Sequence, residues 1–567
     1  MLKQWASRRD QVSRGALLVA LVFFLAALLG LFLVDDSGIG VDEAIERRTL
    51  NVNIRAYVEL FTGEGSEAAL AISEEDIDTW RDRDYGQAKF YPVWPIMNAL
   101  EQAGNTHGME NVYHYYMHLL FLLGLFGLYS IVRQLTGSRA FGLVAAGLLY
   151  VNPRFFAESF YNNKDVVLVS LCLIVWWMGL RFITKDTWES CIWFGLAGAV
   201  AANARILGLA AFGLCGIAYL VVHIANGRWD RRLFLRGFAA VASFLVFFTL
   251  LTPACWSDFF GFWKYLIVGT ANFDTARWNG WVLYRGALYN AVANPIPWHY
   301  IPWLMLITTP LFIVVLAALW GIQLLVRNRL CAQKWLCLES VYCIALAVFF
   351  AAPLVYTMVV HPNLYNGWRH MYFIYIPVVV LAGVGAAWLW QHKKKWLRIA
   401  LCASLAANFL YYAGFIIANH PYEFAYFNFL AGEHPEERYE ADYWYIGQSE
   451  LMKQLQEMDA DFSAVPLNKS IRLEGTWYRV KGTMSGLTER NEEVTWDRRG
   501  RARYVLENTC YAAIDDLSPN WDLSDPAVQL WKSLMNAEEP ILEIKCGRTV
   551  LWRVYKNPQY NGPPYNN

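Results

Sequence analysis

The chain has 567 residues, of which 56% are hydrophobic, 16% aromatic and only 17% charged. Soluble proteins carry about 25% charged residues, so this composition favours a membrane protein. The 48 basic and 48 acidic side chains cancel. This balance argues against a nucleic-acid-binding protein, which needs a basic excess against phosphates. The aromatic content argues against a disordered chain.

Apolar runs long enough to cross a bilayer occur along most of the chain. About 20 apolar residues span the hydrocarbon core, and the sequence predicts about 11 transmembrane helices. Asn203 and Arg205 interrupt the apolar stretch that covers 190–204 and 207–225. This stretch is predicted to form two short spans, and one kinked unit is the alternative. The predicted spans lie near 15–34, 114–134, 140–157, 165–183, 190–204, 207–225, 234–254, 303–326, 336–358, 371–390 and 399–418.

Basic residues are concentrated in every second connection between the predicted spans. By the positive-inside rule, these connections and the N-terminus are cytoplasmic, and an odd number of spans then places the C-terminal region outside. The first run lacks a small-residue cleavage pattern after Val34, so we interpret it as a retained span rather than a signal peptide. The short outer loops carry only Arg154, Lys164, Arg205 and Arg369.

Two long outer loops and a polar C-terminal region complete the chain. Loop 35–113 has 16 acidic against 6 basic residues, and loop 255–302 is rich in Trp, Asn and Pro. Because Trp and Tyr favour the membrane interface, we expect both loops to lie along the membrane surface. The predicted organisation is a transmembrane domain over 1–420 and a small extracytoplasmic α/β domain over 421–567.

Within the C-terminal region, apolar residues at helical spacing predict a helix over 448–459. Residues 540–545 and 549–555 flank Gly547 and predict a hairpin. Cys510 and Cys546 are the two cysteines of this region, and both a disulfide and two free thiols are compatible with the sequence. The other cysteines lie in or beside spans and are typical of buried apolar positions.

No Walker loop, GxGxxG or HExxH motif occurs, so the sequence provides no support for chemistry with a soluble cofactor. The informative residues are ionisable side chains at the outer ends of spans, where burial is costly and function is the usual reason. Asp42 and Glu43 follow the first span. One of them would serve as a general base for an acceptor hydroxyl; a solvated acidic loop is the alternative.

The turn from Asn152 to Asp165 carries four charged residues: Arg154, Glu158, Lys164 and Asp165. Lys164 is suited to a phosphate and Asp165 to a metal or a substrate hydroxyl. The alternative is mutual ion pairing that caps the two helices. Two Asp-x-Asp triplets, 76–78 and 82–84, lie in an acidic run and are interpreted as a solvated face.

Two further positions place cations at the same membrane face. Arg205 either snorkels to the interface or meets an anionic ligand. Tyr365 precedes Arg369 and His370, which are suited to grip a phosphate; interfacial anchoring is the alternative. A carboxylate pair and several cations at one face indicate an amphiphile with a phosphate at the interface and a polar group beyond it, which is the shape of a lipid-linked sugar.

These features resemble the GT-C glycosyltransferases, in particular the bacterial branch related to protein O-mannosyltransferases and the aminoarabinose transferase of lipid A. The resemblance covers about 1–445. It is carried by Asp42-Glu43 opening the first outer loop, the turn 152–165, the break at Arg205, Asn366-Gly367-Trp368-Arg369-His370, the stretch 420–428 and Glu440-Ala441-Asp442-Tyr443-Trp444.

The resemblance implies a transferase that moves a hexosyl or pentosyl group from a polyprenyl-phosphate donor to a protein, lipid or glycan at the outer face of a bacterial inner membrane. Asp42 would be the catalytic base, with Glu43 assisting. Lys164, Arg205, Arg369 and His370 would bind the lipid phosphate, and Asp165 would be a second acidic site. Some relatives use Mg or Mn, but Asn163-Lys164-Asp165 departs from a metal-binding Asp-x-Asp. A transporter or flippase of a lipid-linked sugar is the alternative function. The sequence shows no sign of the paired halves that are typical of transporters.

Overall fold

A computed structural model describes residues 2–271, 280–329, 332–459, 464–466, 504–509 and 539–556. Most of these residues are helical. In the first half of the chain the helices are α1 (Leu2–Leu33), α2 (Glu43–Thr62), α3 (Glu67–Leu70), α4 (Trp94–Gln102), α5 (Thr106–Thr136), α6 (Arg139–Tyr150), α7 (Pro153–Tyr161), α8 (Asp165–Lys185), α9 (Trp188–Ala204), α10 (Gly208–Ala225), α11 (Arg231–Leu251) and α12 (Phe259–Ala271).

The second half continues the helical architecture as far as the C-terminal sheet. A 3-10 helix over Arg369–Ile374 leads directly into α17. The helices are α13 (Tyr300–Thr308), α14 (Leu311–Asn328), α15 (Ala332–Trp335), α16 (Leu338–Val360), α17 (Tyr375–Gln391), α18 (Lys395–Asn419) and α19 (Gly447–Met458).

Among the described residues, nine helices are long and apolar enough to cross a membrane, or ten if α6 and α7 are one bent span. The predicted spans are largely helical, but 140–157 is divided between α6 and α7, and 303–326 between α13 and α14. The count is lower than eleven because of the break between α6 and α7 and because α9 has only 17 residues and ends where Arg205 turns the backbone to an extended conformation. Phe24, Phe238 and Ile417 are among the large apolar side chains exposed on these helices. The chain is an integral membrane protein, and the predicted helical polytopic class is confirmed.

The third predicted span is broken at Asn152-Pro153. Proline has no N–H and therefore starts a new helix more readily than it continues one, and α6 and α7 meet at 71°. All nine residues of α7 are buried. The bend lays α7 inside the protein and delivers Lys164 to the start of α8.

The long segment after α1, over 35–113, packs on the helix ends rather than extending into solvent. The Tyr91 hydroxyl donates to the carbonyl of Leu251 at the end of α11. Asn203, at the end of α9, accepts from Ala88 N through its side chain at 3.0 Å and from Gly86 N through its backbone at 2.9 Å. A Cβ on Gly86 would lie 2.2 Å from Asn203 Nδ2, so a larger residue here would displace the Asn203 amide.

The C-terminal region contains a four-stranded sheet in the order β3-β4-β6-β5; a separate two-stranded hairpin, β1 (Val282–Tyr284) and β2 (Ala287–Tyr289), lies between α12 and α13. The β5–β6 pair forms the hairpin predicted around Gly547, and α19 confirms the predicted helix. Cys546 is buried on β5, whereas Cys510 lies outside the described residues. The strands are β3 (Ala464–Pro466), β4 (Tyr504–Asn508), β5 (Leu542–Cys546) and β6 (Thr549–Lys556), with β3 and β4 parallel and the other pairs antiparallel.

One hydrophobic core joins this sheet to the transmembrane helices. Phe156 and Phe160 of α7 share it with Trp444 and with Leu551 and Trp552 of β6. The chain between 421 and 446 therefore packs against α7 on one side and the sheet on the other. Within this segment, Asp442 accepts from Trp552 Nε1 at 2.8 Å and from the backbone N–H groups of Gly447 and Ile446.

Replacing Asp442 with alanine should loosen the attachment of the sheet. The substitution leaves three buried donors without their acceptor, which should cost about 2–4 kcal/mol. We expect a lower thermal unfolding midpoint in detergent for Asp442→Ala. Lys453→Ala, on an exposed position of the neighbouring helix α19, is the control and should match the parent protein. Equal midpoints for the two variants would contradict the anchoring role.

Candidate active site

A cluster of charged side chains lies where α1 ends and α8 begins. Asp42 is the residue before α2 and is 25% exposed. Its Oδ2 atom lies 3.1 Å from Arg369 Nη1 and 3.8 Å from Lys164 Nζ. Three residues that are far apart in the chain, each identified from the sequence as a candidate, therefore form one site.

Glu46 extends this cluster along α2. It is one turn after Asp42, it is buried, and its Oε1 atom lies 3.0 Å from Lys164 Nζ. Gln87 Nε2 donates to its other oxygen at 2.9 Å. Glu46 is not among the site residues predicted from the sequence, although its position four residues after Asp42 places both on neighbouring turns of a helix.

A second ion pair lies beside the first. Arg205 Nη2 is 3.0 Å from Asp165 Oδ1, and the Asp165 side chain is 1% exposed. The Tyr85 ring lies 4.9 Å from Lys164 Nζ and 5.6 Å from Arg205 Cζ. This ring therefore contacts both cations through its face, an arrangement that attracts positive charge. Apart from its place in an aromatic stretch, nothing in the sequence indicates that Tyr85 is a site residue.

Aromatic rings also hold Arg369. Its guanidinium carbon lies 4.6 Å from the Trp444 ring and 5.3 Å from the Tyr365 ring. His370 is buried and packs edge-on against Tyr365 with 4.7 Å between the ring centroids. The predicted group Tyr365, Arg369 and His370 is thus brought together, with Trp444 as an addition from the C-terminal region.

The charges of the cluster shift the pKa values of its members. Burial acts to raise the pKa of Asp42, but Lys164 and Arg369 outweigh it and hold that pKa well below its usual range. Burial acts to lower the pKa of Lys164, and the nearby Asp42 and Glu46 carboxylates raise it above its usual value. In this state Asp42 is ionised but is a weak base, because two cations stabilise its charge.

Two buried groups near the cluster were not among the candidate site residues predicted from the sequence. Lys89 donates to the carbonyl of Gly86 at 2.9 Å, and burial lowers its pKa to about 8. Glu440 accepts from Gly367 N at 2.8 Å, and burial raises its pKa to about 7. Because Gly367 has φ +69°, a conformation that favours glycine, this contact fixes the backbone two residues before Arg369.

The structure places three of the predicted site residues away from Asp42. Glu43 is fully buried and lies 2.8 Å from His114 Nε2. Glu158 accepts from the Tyr372 hydroxyl at 2.7 Å, and Arg154 donates to the Tyr443 hydroxyl at 3.1 Å. The Glu158 and Arg154 side chains link α7 to the 3-10 helix over Arg369–Ile374 and to the chain before α19. Their predicted roles in catalysis and substrate binding stay predictions.

The donor set of the cluster does not fit a divalent metal ion. Asp42, Glu46 and Asp165 each contact a lysine or an arginine. A metal ion at these carboxylates would meet cations already in place. Within the described ranges, no group of three or more His, Cys, Asp or Glu side chains has an arrangement that could hold a metal.

A protein-family model matches the part of the chain that contributes the centre of this site. Residues 109–256 match the family model described as dolichyl-phosphate-mannose-protein mannosyltransferase. This stretch carries Lys164, Asp165 and Arg205. The match agrees with the predicted resemblance to protein mannosyltransferases over this part of the chain. It supports a glycosyltransferase as the class of enzyme.

Two solved structures are similar to the chain. One is the crystal structure of ArnT from Cupriavidus metallidurans bound to undecaprenyl phosphate, with 13% identity, a TM-score of 0.44, and coverage of 96% of this chain and 99% of that one. The other is the cryo-EM structure of the arabinofuranosyltransferase AftD from Mycobacteria, with 11% identity, a TM-score of 0.44, and coverage of 96% and 40%. No curated protein sequence matches the chain.

The Asp165–Arg205 pair should behave as a coupled unit in stability measurements. Removing one partner of a buried pair leaves an uncompensated charge and costs about 3 kcal/mol, so Asp165→Asn should lower the thermal midpoint clearly. Removing both charges avoids that cost. We therefore expect the double variant Asp165→Asn/Arg205→Met to be more stable than the sum of the single variants indicates. Additive effects would contradict a direct contact.

Proposed function

We propose that this protein transfers a sugar from a polyprenyl-phosphate donor to an acceptor hydroxyl at the outer face of a bacterial inner membrane. The observation that carries the proposal is the contact of Asp42 with Arg369 and Lys164 at the end of a membrane-spanning helix. It combines a carboxylate suited to a hydroxyl with cations suited to a phosphate, at the depth where a lipid headgroup lies.

The distribution of basic residues supports the outer face. The cluster lies at the helix ends formed by the end of α1 and the start of α8. The opposite helix ends carry the clusters of basic residues, among them Arg133, Arg181, Arg228, Arg327 and Lys393. Because basic residues concentrate on the cytoplasmic side, the cluster face would be extracytoplasmic, with the N-terminus in the cytoplasm.

The chemistry of the cations supports a phosphate lipid as the donor. Guanidinium groups form charge-assisted, often bidentate bonds with phosphate, and lysine adds a compact charge. Lys164, Arg205 and Arg369 all lie in this cluster. The matched family is described by a dolichyl-phosphate sugar donor, which has the same phosphate-linked polyprenol chemistry.

In the proposed reaction, Asp42 accepts the proton of the acceptor hydroxyl while the hydroxyl oxygen attacks the anomeric carbon. The bond between that carbon and the phosphate oxygen breaks, and the phosphate leaves with the electron pair as polyprenyl phosphate. The leaving group carries its charge to the cations, so no strong acid is needed. A single displacement of this kind inverts the anomeric centre.

Donor binding would also activate the base. In the structure Lys164 and Arg369 stabilise the charge of Asp42. A phosphate competing for these two cations would weaken their hold on the carboxylate, and the pKa of Asp42 would rise towards its ordinary value. The base would then become effective only when the donor is in place.

Asp42→Asn should abolish transfer while leaving the fold intact. A general base contributes about 100-fold or more to the rate, so we expect at least this loss in an assay of sugar transfer from a polyprenyl-phosphate sugar in detergent. Asp35→Asn, an exposed acidic residue of the same connection, is the control. Retained transfer in Asp42→Asn would remove the base assignment. Lipid movement without any transfer in the parent protein would instead favour the transporter.

The pH dependence should differ between the free enzyme and its donor complex. The value of kcat/KM for the donor reports the free enzyme, and kcat at saturating donor reports the complex. Activity falls as the pH drops through the pKa of a base, so the acid limb of kcat should lie about 1 pH unit or more above that of kcat/KM.

Glu440 is a further carboxyl near Arg369, and its pKa of about 7 would add a second limb. The profiles should therefore also be measured in Glu440→Gln, where the separation of the two acid limbs should persist. Superimposed limbs in that variant would show that donor binding leaves the base unchanged.

A further inference from the structure

A tight turn of the backbone precedes Arg369. Asn366 and Gly367 have φ values of +57° and +69°, and two consecutive residues in the left-handed region reverse the chain sharply. Asn and Gly are the residues that adopt this conformation with least strain. The turn brings the ring of Tyr365, on one side of it, to 5.3 Å from the guanidinium carbon of Arg369, on the other.

Glu440 holds this turn from outside. Its Oε2 atom accepts from Gly367 N at 2.8 Å, and the backbone N–H of Asn366 is a second donor to the carboxylate. The Tyr300 hydroxyl lies 3.1 Å from the carbonyl oxygen of Gly367 and 3.5 Å from Glu440 Oε2. Gly367 is therefore held at both its N–H and its carbonyl. Glu440 is buried, so water competes little for these bonds.

The chain segment that carries Glu440 also meets the Arg369 side chain. Four residues after Glu440, the Trp444 ring lies 4.6 Å from the guanidinium carbon. Arg369 Nη1 contacts Asp42 at 3.1 Å, whereas its Nε atom has no hydrogen-bond partner among the described residues. Segment 440–444 thus holds Arg369 at its backbone and at its side chain, and one N–H donor is left for an anion.

The surroundings of Glu440 suit an ionised carboxylate. Two backbone N–H groups and the Tyr300 hydroxyl are donors, and Arg369 is a cation that acts on the same group. An ionised carboxylate only accepts, whereas a protonated carboxyl group or an amide would bring a donor to these donors. Bonds to an ionised acceptor are also stronger. Burial raises the pKa of Glu440 to about 7, so the ionised form is lost as the pH falls through neutrality.

We propose that Glu440 is a positioning residue for the donor: its ionised carboxylate holds the 366–367 turn so that the Arg369 guanidinium is aligned on the donor phosphate. The proposal rests on the proposed transferase function and adds a regulation of the same site. Above neutral pH the turn is held and the donor binds tightly. Proton uptake by Glu440 weakens the turn, and the donor phosphate then loses part of its contact with Arg369.

An effect of charge alone would have the opposite sign. A carboxylate near Arg369 repels an anionic ligand, so loss of its charge would strengthen phosphate binding if Coulomb interaction were the whole effect. Alignment of Arg369 predicts weaker binding when the same charge is lost. The direction of the change therefore separates positioning from simple electrostatics.

The test compares the parent protein with Glu440→Gln, as full chains in detergent, by microscale thermophoresis with polyprenyl phosphate. At about pH 8 the parent should bind about fivefold or more tightly than the variant, and at about pH 6 the two should agree within about twofold. Titration of the ligand phosphate affects both proteins and cancels in the ratio. Glu437→Gln, an exposed position of the same segment, is the matched control and should bind like the parent at both pH values.

Hydrogen exchange of the Asn366 and Gly367 amides measures the turn directly. At about pH 8, without ligand, we expect these amides to exchange about fivefold or more faster in Glu440→Gln than in the parent, because their acceptor is weakened. Glu440→Ala, which removes the acceptor, should change both exchange and affinity further in the same direction. Equal affinities of parent and Glu440→Gln at about pH 8, or tighter binding by the variant, would overturn the proposal.

Failure of this proposal differs from failure of the proposed function. Faster exchange with unchanged affinity would show that Glu440 only stabilises the turn, and the transferase function would stand if Asp42→Asn abolishes transfer. A parent protein that binds no polyprenyl phosphate would refute the proposed donor. It would also refute the role of Glu440 in donor binding, even where the exchange rates show that Glu440 holds the turn.

Discussion

Ion pairs between largely buried side chains determine which helix ends of this protein lie together. A buried carboxylate or guanidinium is stable only when a partner lies within contact distance. Asp42, Glu46 and Asp165 meet Lys164, Arg205 and Arg369 under this constraint. The end of α1, the start of α2, the start of α8 and the 3-10 helix before α17 must therefore converge, and the site exists because these helix ends cannot separate without exposing single charges.

The sequence predicted the members of this cluster that interrupt apolar runs. A charge between two spans is conspicuous, which is why Lys164, Asp165, Arg205 and Arg369 were identified, and the alternation of basic loops placed them on one side. Glu46, Tyr85 and Lys89 were missed because they lie in polar or aromatic stretches, where nothing local separates a site residue from a surface residue, and Glu440 was noted only as part of the family resemblance. Only their tertiary contacts distinguish them.

Adjacent residues in the sequence also separate in the structure. Asp42 and Glu43 appeared to be a pair, but Asp42 precedes the helix and faces Arg369, whereas Glu43 is in its first turn and faces His114. The same geometry divides Arg154 and Glu158 from Lys164, because the bend at Pro153 buries α7. The order of residues along the chain predicts which of them are near the site. The orientation of each helix determines which of their side chains reach it.

Trp444 belongs to two parts of the molecule at once. Its ring covers the Arg369 guanidinium at 4.6 Å, and it packs in the core that α7 shares with β6. The C-terminal sheet is therefore packed against the membrane domain and is not merely tethered to it by the chain. Because this indole packs in both places, a displacement of the sheet would also displace the ring that covers the Arg369 guanidinium, which in turn contacts Asp42.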